Sequence, residues 1–142
     1  MLSRFTGSAL LALALALPGH AADVSQKAGL AWLDAKTTAP DLNVSGTWES
    51  TTSYWAGGWG KGVWVQKGPE VIGNLGLYTI QGRVAGKQLF VLVCSGNKVY
   101  YTAILEPGKD GSLSGIAVTR MLADDPDART AERLPVALVA VK

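Results

Sequence analysis

From Leu42 to Lys142 the chain is cut into eight short runs of β-branched, aromatic and aliphatic residues, each closed by a few turn formers. The runs are Asn43–Thr52, Lys61–Gln66, Val71–Leu75, Leu77–Ala85, Lys87–Cys94, Lys98–Leu105, Ser112–Met121 and Arg133–Val141. Several separators are minimal: Ala85-Gly86, Ser95-Gly96-Asn97 and Lys109-Asp110-Gly111 have hairpin-turn composition. Links this short join antiparallel neighbours, because a parallel pair needs a crossover of about a dozen residues or more. The sequence therefore predicts an all-β antiparallel meander, paired in chain order. Gly73, Gly76, Gly82 and Gly115 lie within or beside the runs, where glycine permits the bends a closing sheet requires. A small barrel of about eight strands is the expected architecture. An open sandwich built from the same hairpins is the alternative.

What precedes the barrel divides in two. Met1 to Thr6 carries a single charge, Arg4; Gly7 to Leu17 reads GSALLALALAL; Pro18, Gly19, Ala21 and Ala22 follow. A charged start, a short apolar core and small residues at the end form the pattern of a secretory signal. Its apolar run falls short of the roughly 20 residues that span a bilayer. Cleavage after Ala21 or Ala22 is expected, which places the mature protein in the periplasm or outside the cell. Residues 23–41 read as a short helix and connector. Asp23 or Ser25 would cap the helix, and Leu30, Leu33, Ala28 and Ala31 would form one side of it, with Trp32 adding apolar area. Residues 42–142 form the barrel domain.

Losing residues 1–22 changes the chemistry on offer. The sole histidine, His20, goes with them, and so does Arg4, one of thirteen basic residues, leaving twelve against eleven acids. No basic field remains to hold nucleic acid. Without imidazole there is no Ser-His-Asp or Cys-His arrangement. No Cys-x-x-Cys or histidine cluster offers a metal site, and no cofactor fingerprint is present. Gly111-Ser112-Leu113-Ser114-Gly115 has leucine where a nucleophile elbow needs serine. The acids of Leu122–Glu132 lack calcium-loop spacing and read as a solvated loop. Catalytic residues are therefore assigned to none. Cys94, the only cysteine, ends an apolar run and reads as a small buried hydrophobe.

Aromatic residues are concentrated early. Trp48, Tyr54, Trp55, Trp59 and Trp64 fall within seventeen residues, around Ala56-Gly57-Gly58-Trp59-Gly60-Lys61-Gly62. Trp48 and Trp64, set in strand pattern, are expected in the core. Trp55 and Trp59, set beside glycines that cost entropy to order, are expected to gate a barrel mouth. Inward residues of other strands, Tyr78, Phe90 and Tyr100 or Tyr101, would line a ligand site with them. Leu89 to Val93 is apolar on both faces, so its outer face must be covered by the N-terminal helix around Trp32 or by a second subunit in a homodimer.

Ser45-Gly46-Thr47-Trp48-Glu49, opening the first strong strand ahead of the hairpins, resembles the Gly-x-Trp of the lipocalins and the wider calycin group. The resemblance implies a barrel whose first-strand tryptophan packs across its closed end. The family's late arginine has two candidates here, Arg120 and Arg133. Two functions fit. The first is a non-enzymatic carrier of a small apolar or amphipathic ligand, with Trp48, Trp55, Trp59, Trp64, Tyr78, Phe90 and Tyr100 as ligand-binding residues. The second is a periplasmic module that binds an envelope protein or inhibits an exported hydrolase through the Gly/Trp-rich loop 53–62.

Overall fold

The computed structural model describes residues 23–51 and 59–142. Eight antiparallel strands close into one barrel in chain order: β1 Gly46–Ser50, β2 Lys61–Lys67, β3 Glu70–Leu75, β4 Tyr78–Ala85, β5 Gln88–Ser95, β6 Lys98–Pro107, β7 Leu113–Thr119 and β8 Arg133–Val141. Each expected run overlaps one of them, with ends that differ by no more than three residues, and the ladder between β1 and β8, with Trp48 opposite Ala140, completes the ring. Closure decides between the barrel and the open sandwich. It also leaves no sheet edge exposed.

Glycine lets the sheet curl around its indoles. Trp48 lies opposite Gly62, and Trp64 opposite Gly73. A Cβ on Gly73 would come within 2.2 Å of the Val63 carbonyl oxygen and 2.8 Å of the Trp64 ring. Any side chain there would force the strands apart or expel the indole.

One end of the barrel is closed by the connector. Asp41 N–H donates to the Gly86 carbonyl (2.8 Å), and Gly86 N–H donates to the Ala39 carbonyl (3.0 Å). Gln66 accepts from Val44 N–H through Oε1 (2.8 Å) and donates through Nε2 to the Leu42 carbonyl (2.9 Å). These bonds draw residues 39–44 under the barrel and bury Val44 completely. The opposite end, here the rim, gathers Gly60, Gly76, the β5–β6 turn and the β7–β8 connection.

The helix α1 (Gln26–Asp34) lies on the outer face of β4, β5 and β6, with Ser25 as its cap: Ser25 Oγ accepts from Ala28 N–H at 3.0 Å. Its buried face differs from the expected one. Gly29, Trp32 and Leu33 are buried, whereas Ala28, Leu30 and Ala31 face outward. Gly29 explains the rotation. A Cβ at that position would meet Leu92 at 2.8 Å, so glycine admits the closest approach of helix to sheet. Trp32 packs edge-on to Phe90, with centroids 5.6 Å apart, and donates from Nε1 to Asp124 at 2.7 Å. Burying a side chain the size of Leu33 or Phe90 contributes roughly 1.5–3 kcal/mol. A nine-residue helix is marginal alone and depends on that contact. With α1 in place, the outer face of β5 is already covered without a second subunit.

Candidate functional site

β5 carries two apolar faces, and the helix determines which residue belongs to which. Leu89, Val91 and Val93 point into the barrel, while Phe90, Leu92 and Cys94 form a separate cluster under α1 with Trp32, Leu33 and Val99. Phe90, expected among the ligand-lining residues, is therefore on the wrong face. In a strand apolar at every position, alternation gives no parity. Cys94 is 1% exposed, and burial pushes its thiol pKa up. It packs as a small hydrophobe.

The barrel interior is occupied by side chains from every strand. Trp48 and Trp64 lie with centroids 5.6 Å apart and rings tilted by 33°. Trp48 Nε1 donates to the Val44 carbonyl (2.9 Å), and Trp64 Nε1 donates to the Asn74 carbonyl (3.0 Å). Both indoles are buried with their one donor satisfied, so they behave as core. Val71, Ile80, Val84, Leu105, Val136 and Leu138 fill the space around them.

The rim is different. Trp59 turns its ring into the barrel, 6% exposed, and lies 5.1 Å from Tyr101. Tyr78 packs edge-on to Tyr101 (6.2 Å) and tilted against Tyr100 (6.0 Å). Lys98 Nζ stands 5.1 Å above the Tyr100 ring, a cation–π distance. Tyr100 reaches this group through an irregularity in the β5–β6 ladder. Val93 pairs with Tyr101 and Cys94 with Val99, so Tyr100 is the extra residue and escapes strict alternation. Trp59 Nε1 is buried and has no hydrogen-bond partner among the described residues. A buried donor left unsatisfied costs about 1–3 kcal/mol. It stands out beside the paired donors of Trp48 and Trp64.

Charge at the rim is mixed. Desolvation raises the Tyr101 phenol pKa, Tyr78 and Glu132 add to the rise, and Arg120 opposes it. Arg120 holds a left-handed backbone, with φ of 59°, a conformation few non-glycine residues adopt. Two bonds fix it: its N–H donates to the Tyr100 carbonyl (3.0 Å), and its carbonyl accepts from Val24 N–H (2.9 Å). Arg120 Nη1 is 3.9 Å from Asp23 Oδ2. Arg120 thus belongs to the rim, at the opposite end from Val44 and the connector, and Arg133 is exposed at the start of β8. Trp48 packs on Trp64 and Val44.

Two clefts lie against α1 on the outer surface. One, of about 180 Å³, runs between the helix and β3–β4, past Leu30, Asp34, Ile72, Gln81 and Arg83. The Gln81 amide oxygen there is buried without a hydrogen-bond partner among the described residues. The other, of about 430 Å³, lies beside the helix start, at Val24, Ser25, Ala28, Arg120, Leu122 and Asp125. Neither coincides with the aromatic group at the rim, whose space Trp59 fills.

Of the expected ligand-binding residues, Trp59, Tyr78 and Tyr100 come together at the rim. Trp48 and Trp64 are in the interior, and Phe90 is outside under α1. Trp55 and most of loop 53–62 lie outside the described residues, as do residues 1–22. Within Leu122–Glu132, Asp124 accepts from Trp32 and Lys36, and Asp125 caps a 3-10 turn at Pro126–Thr130. The stretch is largely the exposed or half-exposed loop its composition suggests, and the pairing of Asp124 with α1 is a contact across the sheet that composition does not encode. Among the described residues no helix is long and apolar enough to cross a membrane. No protein-family model matches this chain, and no curated protein or solved structure matches it either.

Proposed function

We propose that the chain is an exported, non-catalytic binding protein that takes a small apolar or amphipathic ligand at the rim of a lipocalin-like barrel, among Trp59, Tyr78 and Tyr100. One observation carries the reading: four aromatic rings gather at that end, and the indole that fills the space keeps a buried donor unpartnered. Rings with hydroxyl tips offer flat apolar area next to polar contacts, which suits a ligand of mixed character. The paired indoles deeper in the barrel argue against a hollow interior and favour the rim. Export is supported by Arg4, the GSALLALALAL core and the small residues up to Ala22. The non-catalytic reading is supported by the confinement of the only histidine to position 20, within the leader.

The test is a titration of tryptophan fluorescence in the mature protein with fatty acids and other lipophiles. A saturable change is expected, with affinity reduced at least tenfold by Tyr78→Ala. No spectral change across a broad panel would remove the reading. N-terminal sequencing of protein recovered outside the cytoplasm checks export: the chain should start at Ala22 or Asp23, and recovery with Met1 in place would exclude cleavage.

A further inference from the structure

We propose that the seat of the Trp59 indole is itself the binding site, that the ligand enters by displacing that ring, and that the ligand's buried part is a planar aromatic ring without a hydrogen-bond donor. This inference rests on the rim reading above and narrows it.

The geometry separates Trp59 from the other interior indoles. All three are nearly buried, at 6%, 6% and 2% exposure for Trp48, Trp59 and Trp64. Two are tied in place by their N–H groups and the third is not. A ring that holds its seat by packing alone, with an unsatisfied donor inside, loses less on leaving than one that must break a hydrogen bond. Leaving also lets its N–H reach water. Trp59 precedes β2 at the rim, the end of the barrel opposite the connector.

The backbone on its C-terminal side stays put during such an exit. Ser50 N–H donates to the Gly60 carbonyl (2.9 Å), and Gly76 N–H donates to the Lys61 carbonyl (2.9 Å). The Trp59 carbonyl lies so close to Gly76 that a Cβ there would fall 1.9 Å from it. Gly60, at φ of 91°, turns the chain directly after the tryptophan. On that side the motion is a rotation of the side chain about a held backbone, and β2 and β3 need not part.

What enters must match what leaves. The seat presents the Tyr101 ring 5.1 Å from the indole centroid at 44°, with Tyr78 packed edge-on behind Tyr101. That is a wall for a flat ring. Among the described residues the seat also supplies no acceptor to the Trp59 N–H, so a ligand placing a donor there inherits the same unpaired group. A ring of the same size with an ether oxygen in place of N–H avoids the penalty. Sugars and phenols, which bring donors, are excluded from the buried position.

Benzofuran and indole form the matched pair of probes, equal in shape and differing at that one atom. Calorimetry on the wild-type protein and on Trp59→Ala is expected to give binding of both probes, with benzofuran at least tenfold tighter than indole. Both should bind Trp59→Ala at least tenfold tighter than wild type, since no ring has to be expelled. In wild-type protein labelled with 15N-tryptophan, saturating benzofuran should move the Trp59 Nε1–H resonance to a solvent-exposed position and accelerate its hydrogen exchange. Those of Trp48 and Trp64 should stay protected. The resonance needs no variant, so it decides the matter even if Trp59→Ala fails to fold. A Trp59 resonance unmoved by saturating benzofuran, or indole binding as tightly as benzofuran, overturns the inference. If fatty acids change the fluorescence while Trp59 stays seated, the rim reading stands and this inference falls. Silence from every probe in both experiments overturns the rim reading as well.

Discussion

The two ends of the barrel are built from the same residue types and finished differently. At the closed end polar groups are paired as they are covered: the Val44 carbonyl takes the Trp48 N–H, and Gln66 joins Val44 to Leu42 through both ends of its amide. At the rim Trp59 is as large and as buried as Trp48, yet its donor is unpaired among the described residues, and Arg120 holds a left-handed backbone. Burial alone does not separate these environments. The difference is whether polar groups were matched as the apolar area was covered. Matching marks a finished core, and its absence marks a place where something else can be accommodated.

The largest expected effect separates waist from rim. Trp64→Ala removes an indole that is 2% exposed, leaves a cavity, and frees the Asn74 carbonyl, so a loss of roughly 3–5 kcal/mol is expected. Trp59→Ala removes a ring of the same size at an end that can relax, and eliminates an unsatisfied donor, so about 1–2 kcal/mol is expected. Chemical denaturation measures both, and equal losses would erase the distinction between the two regions. A finer comparison replaces the indole by a smaller phenyl ring without an N–H, a loss of ring area common to both sites. Trp48→Phe strands the buried Val44 carbonyl and should cost about 1–3 kcal/mol. Trp59→Phe strands nothing and should stay within about 1 kcal/mol of wild type.

Much of the barrel was legible because its cause is local. Period-two alternation and glycine turns identify strands wherever one face meets solvent. All eight strands therefore fall in their expected runs, with ends displaced by no more than a few residues. The misplacements come where the signal is absent in principle. Leu89 to Val93 is apolar throughout, so nothing in it could assign Phe90 to the helix side. The helix presents Gly29 rather than Leu30 because the shape of Leu92 decides, and Leu92 is 63 residues away. Tyr100 joins the rim through a ladder irregularity that composition does not encode. The glycine neighbours of Trp59 place it at a barrel mouth in the sequence reading, but only the geometry reveals that its buried donor has no partner among the described residues. A signal does exist for Gly62 and Gly73: each faces a tryptophan across a ladder, a pairing that becomes visible once register is known.

The smallest effect concerns the helix, which is held to the barrel partly by charge. Asp124 accepts from Trp32 Nε1 at 2.7 Å and pairs with Lys36 Nζ at 2.6 Å. Burial raises its carboxyl pKa, but the hydrogen bonds from Lys36 and Trp32 and the Lys36 charge outweigh that and hold it below the ordinary carboxylate value. A carboxyl depressed in the folded state stabilises it above the unfolded pKa, and that contribution fades as pH falls through the folded value. Acidification from neutrality should therefore loosen α1 only below the ordinary carboxylate range, about pH 4. Asp124 is 41% exposed at its side chain, so solvent screens the pair, and Asp124→Asn should cost no more than about 1 kcal/mol at neutral pH. Hydrogen exchange across Gln26–Asp34 reads this locally: wild type should lose protection in acid, and the variant should lose little further because its partner no longer titrates. A variant retaining the full acid-induced loss would mean that other carboxyls, or the barrel itself, set the attachment of the helix. The contrast between its charge-assisted seat and the uncharged seat of Trp59 would then lose its basis.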